Sequence, residues 1–556
     1  MAADSSSRRT TGPRRLADDA TPTAVSDGTP RRAAVPSGQE RGGMGSAMGW
    51  TVLGAILPGL GLWRSGRRVL GSVVLAVAIL LVGGLAGLAI TQRSSLVMVA
   101  TNPRVLQWTA LALLVLAIVW VAVIGASHLA LRPAGSTIGQ RTAGAVLVGG
   151  LSFIVAAPLA LGANVAYTAS TLVQKVFDTT DDGSRSETVP TINAVDPWAD
   201  KDRLNILILG GDSGTGRSTK AGMRADSVIV ASIDTHTAVG TLFSLPRQTA
   251  RMPFPKDSKL SQVFPHGWYN PGNPKDQNYW LSAMYRLAPP MVPKGTFGTT
   301  KYLPEDIMKV SVGEALGLDI DYFVTINMDG FKDIINALDG VTLNVNAPIP
   351  IGGDTDRNIL PTDWIETGPN QHFGGRLALW YARGRWGYDD YSRMSRQRCV
   401  INAVLKQANP QNVLVNFEKL ATAGEKTVST DLPDTMVGPM LDLATRAQDK
   451  KLRSIVFING KDGFSTLTPN WTTVRKQVKK ALAESAQSNT ETTPSVAVST
   501  PSTSPAGSSS PSPKPTKSTK PKSDDLDDEC GYHPTGKIPK GYPGTRDDPQ
   551  GYRQGR

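Results

Sequence analysis

Apolar runs long enough to cross a lipid bilayer are the feature that most constrains this chain. Three lie near its N-terminus, at residues 69–91, 105–131 and 143–168. A helix needs about 20 apolar residues to span the hydrocarbon core, and each run meets that length. Pro158 interrupts the third run, which membrane helices tolerate. A shorter run at 50–63, WTVLGAILPGLGLW, falls below spanning length and is broken by Pro58 and Gly59, so it reads as re-entrant or interfacial. Residues 49–170 are thus expected to form a membrane anchor of about three crossings. Arginine placement sets its direction. Arg64, Arg67 and Arg68 precede the first span, Arg132 and Arg141 lie between the second and third, and further arginines from Arg8 to Arg41 mark the N-terminal tail. The loop 92–104 holds Arg93 and Arg104. If 50–63 does not cross, the N-terminus is cytoplasmic and everything after about residue 170 is outside.

The flanks are low in complexity. Residues 1–48 are rich in Ser, Thr, Gly, Pro and Arg without apolar periodicity, which predicts a disordered cytoplasmic tail. A linker is expected at 171–200. A Ser/Thr/Pro-rich disordered tail is expected at 483–556, of the kind that threads cell-wall polymer or is simply solvated. Its last stretch, GYHPTGKIPKGYPGTRDDPQGYRQGR, supports no particular reading. The net charge of +12 suits anionic partners such as phosphates or acidic lipid, and no nucleic-acid-binding module is recognisable. Two cysteines, Cys399 and Cys530, exclude a disulfide scaffold and a four-cysteine zinc site. Spacing gives no support for their pairing, because Cys530 follows the polar tail.

Between 201 and 482 the composition is that of a globular domain. Short apolar runs at 204–209, 227–233, 240–244, 322–326 and 341–345 read as strands. Helical patterns fall among them, at about 278–286, 304–316, 331–338 and 392–408. Their alternation predicts an α/β fold, a central mixed sheet between helices, with chemistry at the strand ends.

Four segments carry candidate chemistry. Gly211 to Ser218 (GDSGTGRS) nearly matches a nucleotide phosphate loop, but Arg217 stands where lysine is required and no helix follows at once. Asp212 and Asp226, with Arg224 before the second, could converge at one sheet edge. Two carboxylates completed by phosphate oxygens suit Mg²⁺. The same residues suit Asx turns, and spacing alone favours the turns. Arg383 and Arg385 share a side if their segment is extended, and Arg393, Arg396 and Gln397 share a helix face. Converging guanidinium groups make a pyrophosphate clamp, whereas a solvated basic helix would use the same pattern. Ser244 to Thr249 (SLPRQT) adds Arg247 at a proline turn. The five histidines form no triad or metal spacing.

Taken in order, NILILGGDSG, MRADSVIVASID, FSLPRQT, LGLDIDYFVTINMDGFKDIINALDGV and LALWYARGRWGYDDYSRMSRQR resemble the LytR–CpsA–Psr family of cell-envelope phosphotransferases. The resemblance implies transfer of a phosphoglycosyl polymer from a polyprenyl-pyrophosphate carrier to peptidoglycan, assisted by Mg²⁺, with Mn²⁺ as the alternative. The multi-pass anchor read above, with the domain extracytoplasmic, is larger than the single helix common in the family. Asp212 and Asp226 would hold the metal. Arg224, Arg383, Arg385, Arg393 and Gln397 would grip the pyrophosphate, and Arg247, Arg383 and Arg385 would serve catalysis. Gln248 replaces the acidic residue that usually follows the arginine, so no catalytic base is named. The insertion at 264–280 departs from the simpler helical stretch expected and is taken to reshape the acceptor or polymer side. The same site with water as acceptor would make a pyrophosphatase or phosphatase. A non-enzymatic envelope regulator is the third reading.

Overall fold

The computed structural model describes residues 43–91, 102–177, 186–190, 196–214, 222–355, 357–407, 428–487 and 525–543. The tail at 1–42, much of the linker, Arg93, Arg217, the stretch 488–524 and residues 544–556 lie outside them.

The N-terminal part is helical: α1 Met44–Ile56, α2 Leu60–Arg64, α3 Arg68–Thr91, α4 Pro103–Leu131 and α5 Ile138–Val176. Asn102 starts α4 by accepting from the amides of Arg104 (3.0 Å) and Val105 (3.4 Å), with Pro103 at the first helical position. Among the described residues, α4 and α5 are long and apolar enough to cross a membrane. The first expected span, 69–91, lies within the helix α3, which is 24 residues long. The run at 50–63 folds back at Pro58 and Gly59 into the pair α1–α2, which packs against the long helices through Trp120 Nε1 donating to Ala55 O (3.0 Å). Gly59 has φ +103°, and a Cβ there would lie 2.4 Å from the carbonyl oxygen of Gly71.

The remainder is a mixed α/β domain. Six strands form one sheet in the order β10-β3-β2-β1-β4-β9: β1 Arg203–Gly211, β2 Ala225–Asp234, β3 Gly240–Leu245, β4 Tyr322–Ile326, β9 Val428–Thr430 and β10 Arg453–Val456. β1 pairs antiparallel with β2 and parallel with β4. Leu207, Leu209, Val228, Val230 and Phe243 are buried on one core, with α7 Leu281–Leu287, α8 Leu303–Leu316 and α13 Trp471–Gln487 packed over it.

Polar groups are also buried beneath α8. Lys309 Nζ donates to Asp431 Oδ2 (2.7 Å) and to the carbonyls of Asp321 (2.9 Å) and Thr188 (3.2 Å). Asp306 accepts from the hydroxyls of Ser186 (2.6 Å) and Thr188 (2.7 Å). The chain that follows the apolar helices is thus fastened to the core by hydrogen bonds.

Three features depart from the sequence reading. The strand at 341–345 leaves the main sheet: β5 Val341–Val345 pairs with β8 Gly368–Phe373, and β6 Ile349–Asp354 with β7 Ile359–Ile365. The insertion contributes Phe264 and Trp268 to the core, and Trp268 N donates to Met252 O (2.8 Å). Finally, residues 525–543 dock on the domain, so the disordered tail expected to run to 556 does not hold for them. Cys530, just after α14 Leu526–Glu529, forms a disulfide with Cys399, their Cα atoms 5.4 Å apart. Spacing could not reveal this pair, because a polar linker hides where the chain returns.

Candidate phosphate-binding site

The site gathers where β1 and β3 end and β2 begins, beneath two helices, α10 Gly375–Arg383 and α11 Asp390–Gln407. β1 closes on Gly210 and Gly211, where its register against β2 shifts. A Cβ on Gly210 would lie 2.9 Å from the Ser227 hydroxyl, so the tight crossing needs glycine. Just beyond, Asp212 N donates to Arg224 O (3.2 Å) and Asp212 Oδ1 accepts from Arg224 N (2.8 Å). Asp212 therefore holds the strand end as a turn residue would.

Asp226 opens β2 and binds Arg247, whose Nη1 donates to Asp226 Oδ1 at 2.9 Å. Burial pushes the Asp226 carboxyl up, but Arg247, Arg393 and Arg385 together outweigh it and hold the group below its ordinary value. It is ionised at neutral pH. From α11, Arg393 Nη2 donates to Asp226 O (3.0 Å) and reaches Asp390 Oδ1 at 3.0 Å. Asp390 is the hub that motif matching missed. The same oxygen lies 3.6 Å from Arg247 Nε and 3.9 Å from Arg385 Nη1. Gln248, in the position of the missing acid, is exposed, and the carboxylate beside Arg247 comes instead from the start of α11.

The other expected residues take different places. Arg383 ends α10 rather than lying in an extended segment, so the shared side expected for Arg383 and Arg385 does not arise. Its Nη1 donates to Met328 Sδ (3.0 Å), and its guanidinium lies 4.9 Å from the Trp380 ring. Met328 N donates to Ser213 O (3.1 Å), which puts Arg383 on the Asp212 side of the site. Arg224 Nη2 is 3.4 Å from Ser282 Oγ. Gln397 lines a small space with Asp226, Ser244 and Arg393, but its amide donates to Ala382 O (3.2 Å). Arg396 faces inward, donating to Tyr381 O (2.8 Å) and to Gly384 O. Burial lowers its pKa to about 10, which still leaves it charged.

Two donors stand out chemically. Arg224 Nε and Arg393 Nε are buried without a hydrogen-bond acceptor among the described residues. Buried unsatisfied donors are costly, and phosphate oxygens would satisfy guanidinium groups bidentately. Asp212 and Asp226 place carboxylates on either side of the paired Gly211 and Ala225. Among the described residues no group of three or more His, Cys, Asp or Glu could hold a metal. A divalent cation held by these two alone would need substrate phosphate and water to complete its shell.

Fold and site together define an α/β protein with an arginine-lined, carboxylate-centred site at its strand ends, preceded by apolar helices. The chain belongs to the LytR_cpsA_psr family, whose model matches residues 166–487 and so includes every site residue named above. It is 24% identical over 294 residues to the polyisoprenyl-teichoic acid–peptidoglycan teichoic acid transferase TagU of Enterococcus faecalis, covering 52% of this chain and 78% of that one. It is 25% identical over 293 residues to the transferase TagV of Bacillus subtilis, covering 51% and 65%. The crystal structure of B. subtilis TagV aligns at 24% identity over 52% of this chain and 98% of that one, with a TM-score of 0.35.

Proposed function

We propose that this chain is a transferase that moves a phosphoglycosyl polymer from a polyprenyl-pyrophosphate carrier to peptidoglycan on the outer face of the membrane. The observation that carries the reading is the convergence of Arg247, Arg385 and Arg393 on Asp226 and Asp390. The transferase names of its relatives support the same class of reaction. In the step proposed, a sugar hydroxyl of the acceptor attacks the phosphorus nearest the glycan. The bond between that phosphorus and the bridging oxygen breaks, polyprenyl phosphate leaves with the electron pair, and the hydroxyl proton passes to water or to the leaving phosphate. Such transfers need positioning and charge neutralisation more than covalent help. Arg247, Arg385 and Arg393 would hold the pyrophosphate oxygens on the Asp226 side, and Arg383 with Arg224 on the Asp212 side. Asp390 would keep three like charges together before substrate arrives. Mg²⁺ bound by Asp212 and Asp226 would supply further charge neutralisation on the phosphate oxygens. The apolar helices would keep the site close to a lipid-borne substrate, with the arginine-rich N-terminal tail inside the cell.

The test is the purified full chain in detergent with Mg²⁺, a synthetic polyprenyl-pyrophosphate glycan and peptidoglycan fragments. Polyprenyl phosphate and a peptidoglycan-linked glycan should both form, and both should be lost with Arg383→Ala or Asp226→Ala. Unchanged turnover in those variants would remove the assignment. Release of phosphorylated glycan without linkage to peptidoglycan would make water the acceptor and the chain a pyrophosphatase.

A further inference from the structure

The docked segment 525–543 has no role in the reaction as proposed, yet it is fastened to the structures that carry the site. Its anchor is α11, the helix of Arg393. Besides the disulfide to Cys399, Glu529 pairs with Arg398 and accepts from Ser395 Oγ (2.6 Å), while Asn402 Nδ2 donates to Asp527 Oδ1 (2.9 Å). The segment then crosses β5, where Asn344 and Asn346 donate their amides to the carbonyls of Cys530 and Gly531, each at 3.0 Å. It ends against the loop 384–390, which joins α10 to α11 and supplies Arg385 and Asp390.

That loop holds itself weakly. Its one internal backbone hydrogen bond among the described residues runs from Tyr388 N to Arg385 O (2.8 Å). Its other fixings come from outside. Arg396 holds Gly384 O, and Tyr388 donates its hydroxyl to Pro348 O (2.7 Å). Trp386, 7% exposed, donates Nε1 to Lys540 O (2.9 Å). Gly387, at φ +74°, lets the segment come so close that a Cβ there would lie 2.8 Å from Pro539 Cβ. Beyond the loop, Tyr542 fastens the end of the segment to β7, hydrogen-bonded to Glu366 and edge-on to Trp364 at 5.3 Å.

We infer that residues 525–543 are a positioning strap, covalently tied to α11, that fixes the 384–390 loop and so places Arg385 and Asp390 against Arg247 and Arg393. Trp386 is its contact point. The consequence for catalysis rests on the transferase reading; the consequence for the loop does not.

Hydrogen exchange and turnover of the full chain in detergent test it together, comparing the unaltered protein with a chain ending at Asp524 and with Trp386→Phe. Without the strap, amides of 384–390 should exchange about tenfold faster while β1 and β2 keep their protection, since local opening needs only the loop's own contacts to fail. Trp386→Phe, which removes one hydrogen bond from an intact strap, should give a rise of about threefold. In the same samples KM for the polyprenyl-pyrophosphate glycan should rise by about tenfold in the truncated chain, with a smaller fall in kcat, because binding geometry is what loosens. A rise in exchange spread over the whole domain would make the segment a general brace and overturn the proposal. If truncation prevents folding, Trp386→Phe decides alone, and unchanged exchange at 384–390 refutes the strap. Arg383→Ala serves as the control for the reaction. Full turnover there removes the transferase site while leaving the exchange result to judge the strap.

Discussion

Replacing Glu305 by glutamine should stabilise the protein at alkaline pH and leave it unchanged in acid. Glu305 lies in the first turn of α8, 5% exposed, and accepts from the Tyr285 hydroxyl at 2.6 Å. Burial pushes its carboxyl up from 4.5 to about 7, against the opposing hydrogen bond from Tyr285 and with smaller help from Asp306 and Asp431. Because the folded chain holds this proton more tightly than the unfolded chain, stability falls as pH rises from about 4.5 to about 7, and the full cost stands above that window. At about 1.4 kcal/mol for each pH unit of the window, the cost comes to about 3 kcal/mol. Glutamine keeps the acceptor for Tyr285 and carries no charge. Glu305→Gln should therefore gain about 3 kcal/mol over the parent at pH 8.5 and nothing at pH 4.5. Denaturant unfolding of the full chain in detergent, followed by tryptophan fluorescence across that range, measures the difference. A variant destabilised equally at both ends would refute the reasoning, since it would show Glu305 acting through shape and not through its proton.

Four further outcomes follow from the same structure. Asp390→Asn removes the counter-charge shared by Arg247, Arg385 and Arg393, and turnover with the polyprenyl-pyrophosphate glycan should fall by about 10²-fold, partly recovered at higher salt. Lys309→Met strands the buried Asp431 carboxylate and should cost about 3 to 5 kcal/mol in the denaturant midpoint. Trp268→Ala, at 1% exposure, should cost about 3 to 5 kcal/mol in the same assay, which would show that the insertion is part of the core. Asp226 titrates below its ordinary value, so the stability it contributes with Arg247 is present above that value and lost as pH falls through the lowered one. Asp226→Asn should accordingly flatten the acid limb of a stability profile taken between about pH 2 and pH 6.

What could be read from the sequence divides by the range of the interactions involved. The strands at 204–209, 227–233, 240–244 and 322–326 were legible because buried strands are continuous apolar runs, whatever their partners. Val341–Val345 has the same pattern but pairs with β8 alone, and periodicity says nothing of which sheet a strand joins. β9 and β10 were not found because three or four residues leave too short a pattern. In the site, residue type picked out Arg247, Arg385 and Arg393, which do converge. It could not separate them from Arg396, because the residue that sorts those on α11 is the direction each faces around the helix. Asp390 has no comparable signal, because its arginine partners come from separate segments that only the fold brings together.

The bond between Cys399 and Cys530 also has a bearing on how the molecule is made. It spans 131 residues of sequence, and the helix that carries Arg393 emerges long before the cysteine that secures it. At about 5 to 20 residues per second of synthesis, Cys399 waits roughly 7 to 26 s for its partner. During that interval a nascent protein with its site arginines already synthesised has no strap over the 384–390 loop. Maturation of the site is thereby tied to delivery of the chain into an oxidising space, and copies retained in a reducing one would carry the right residues without the geometry that uses them.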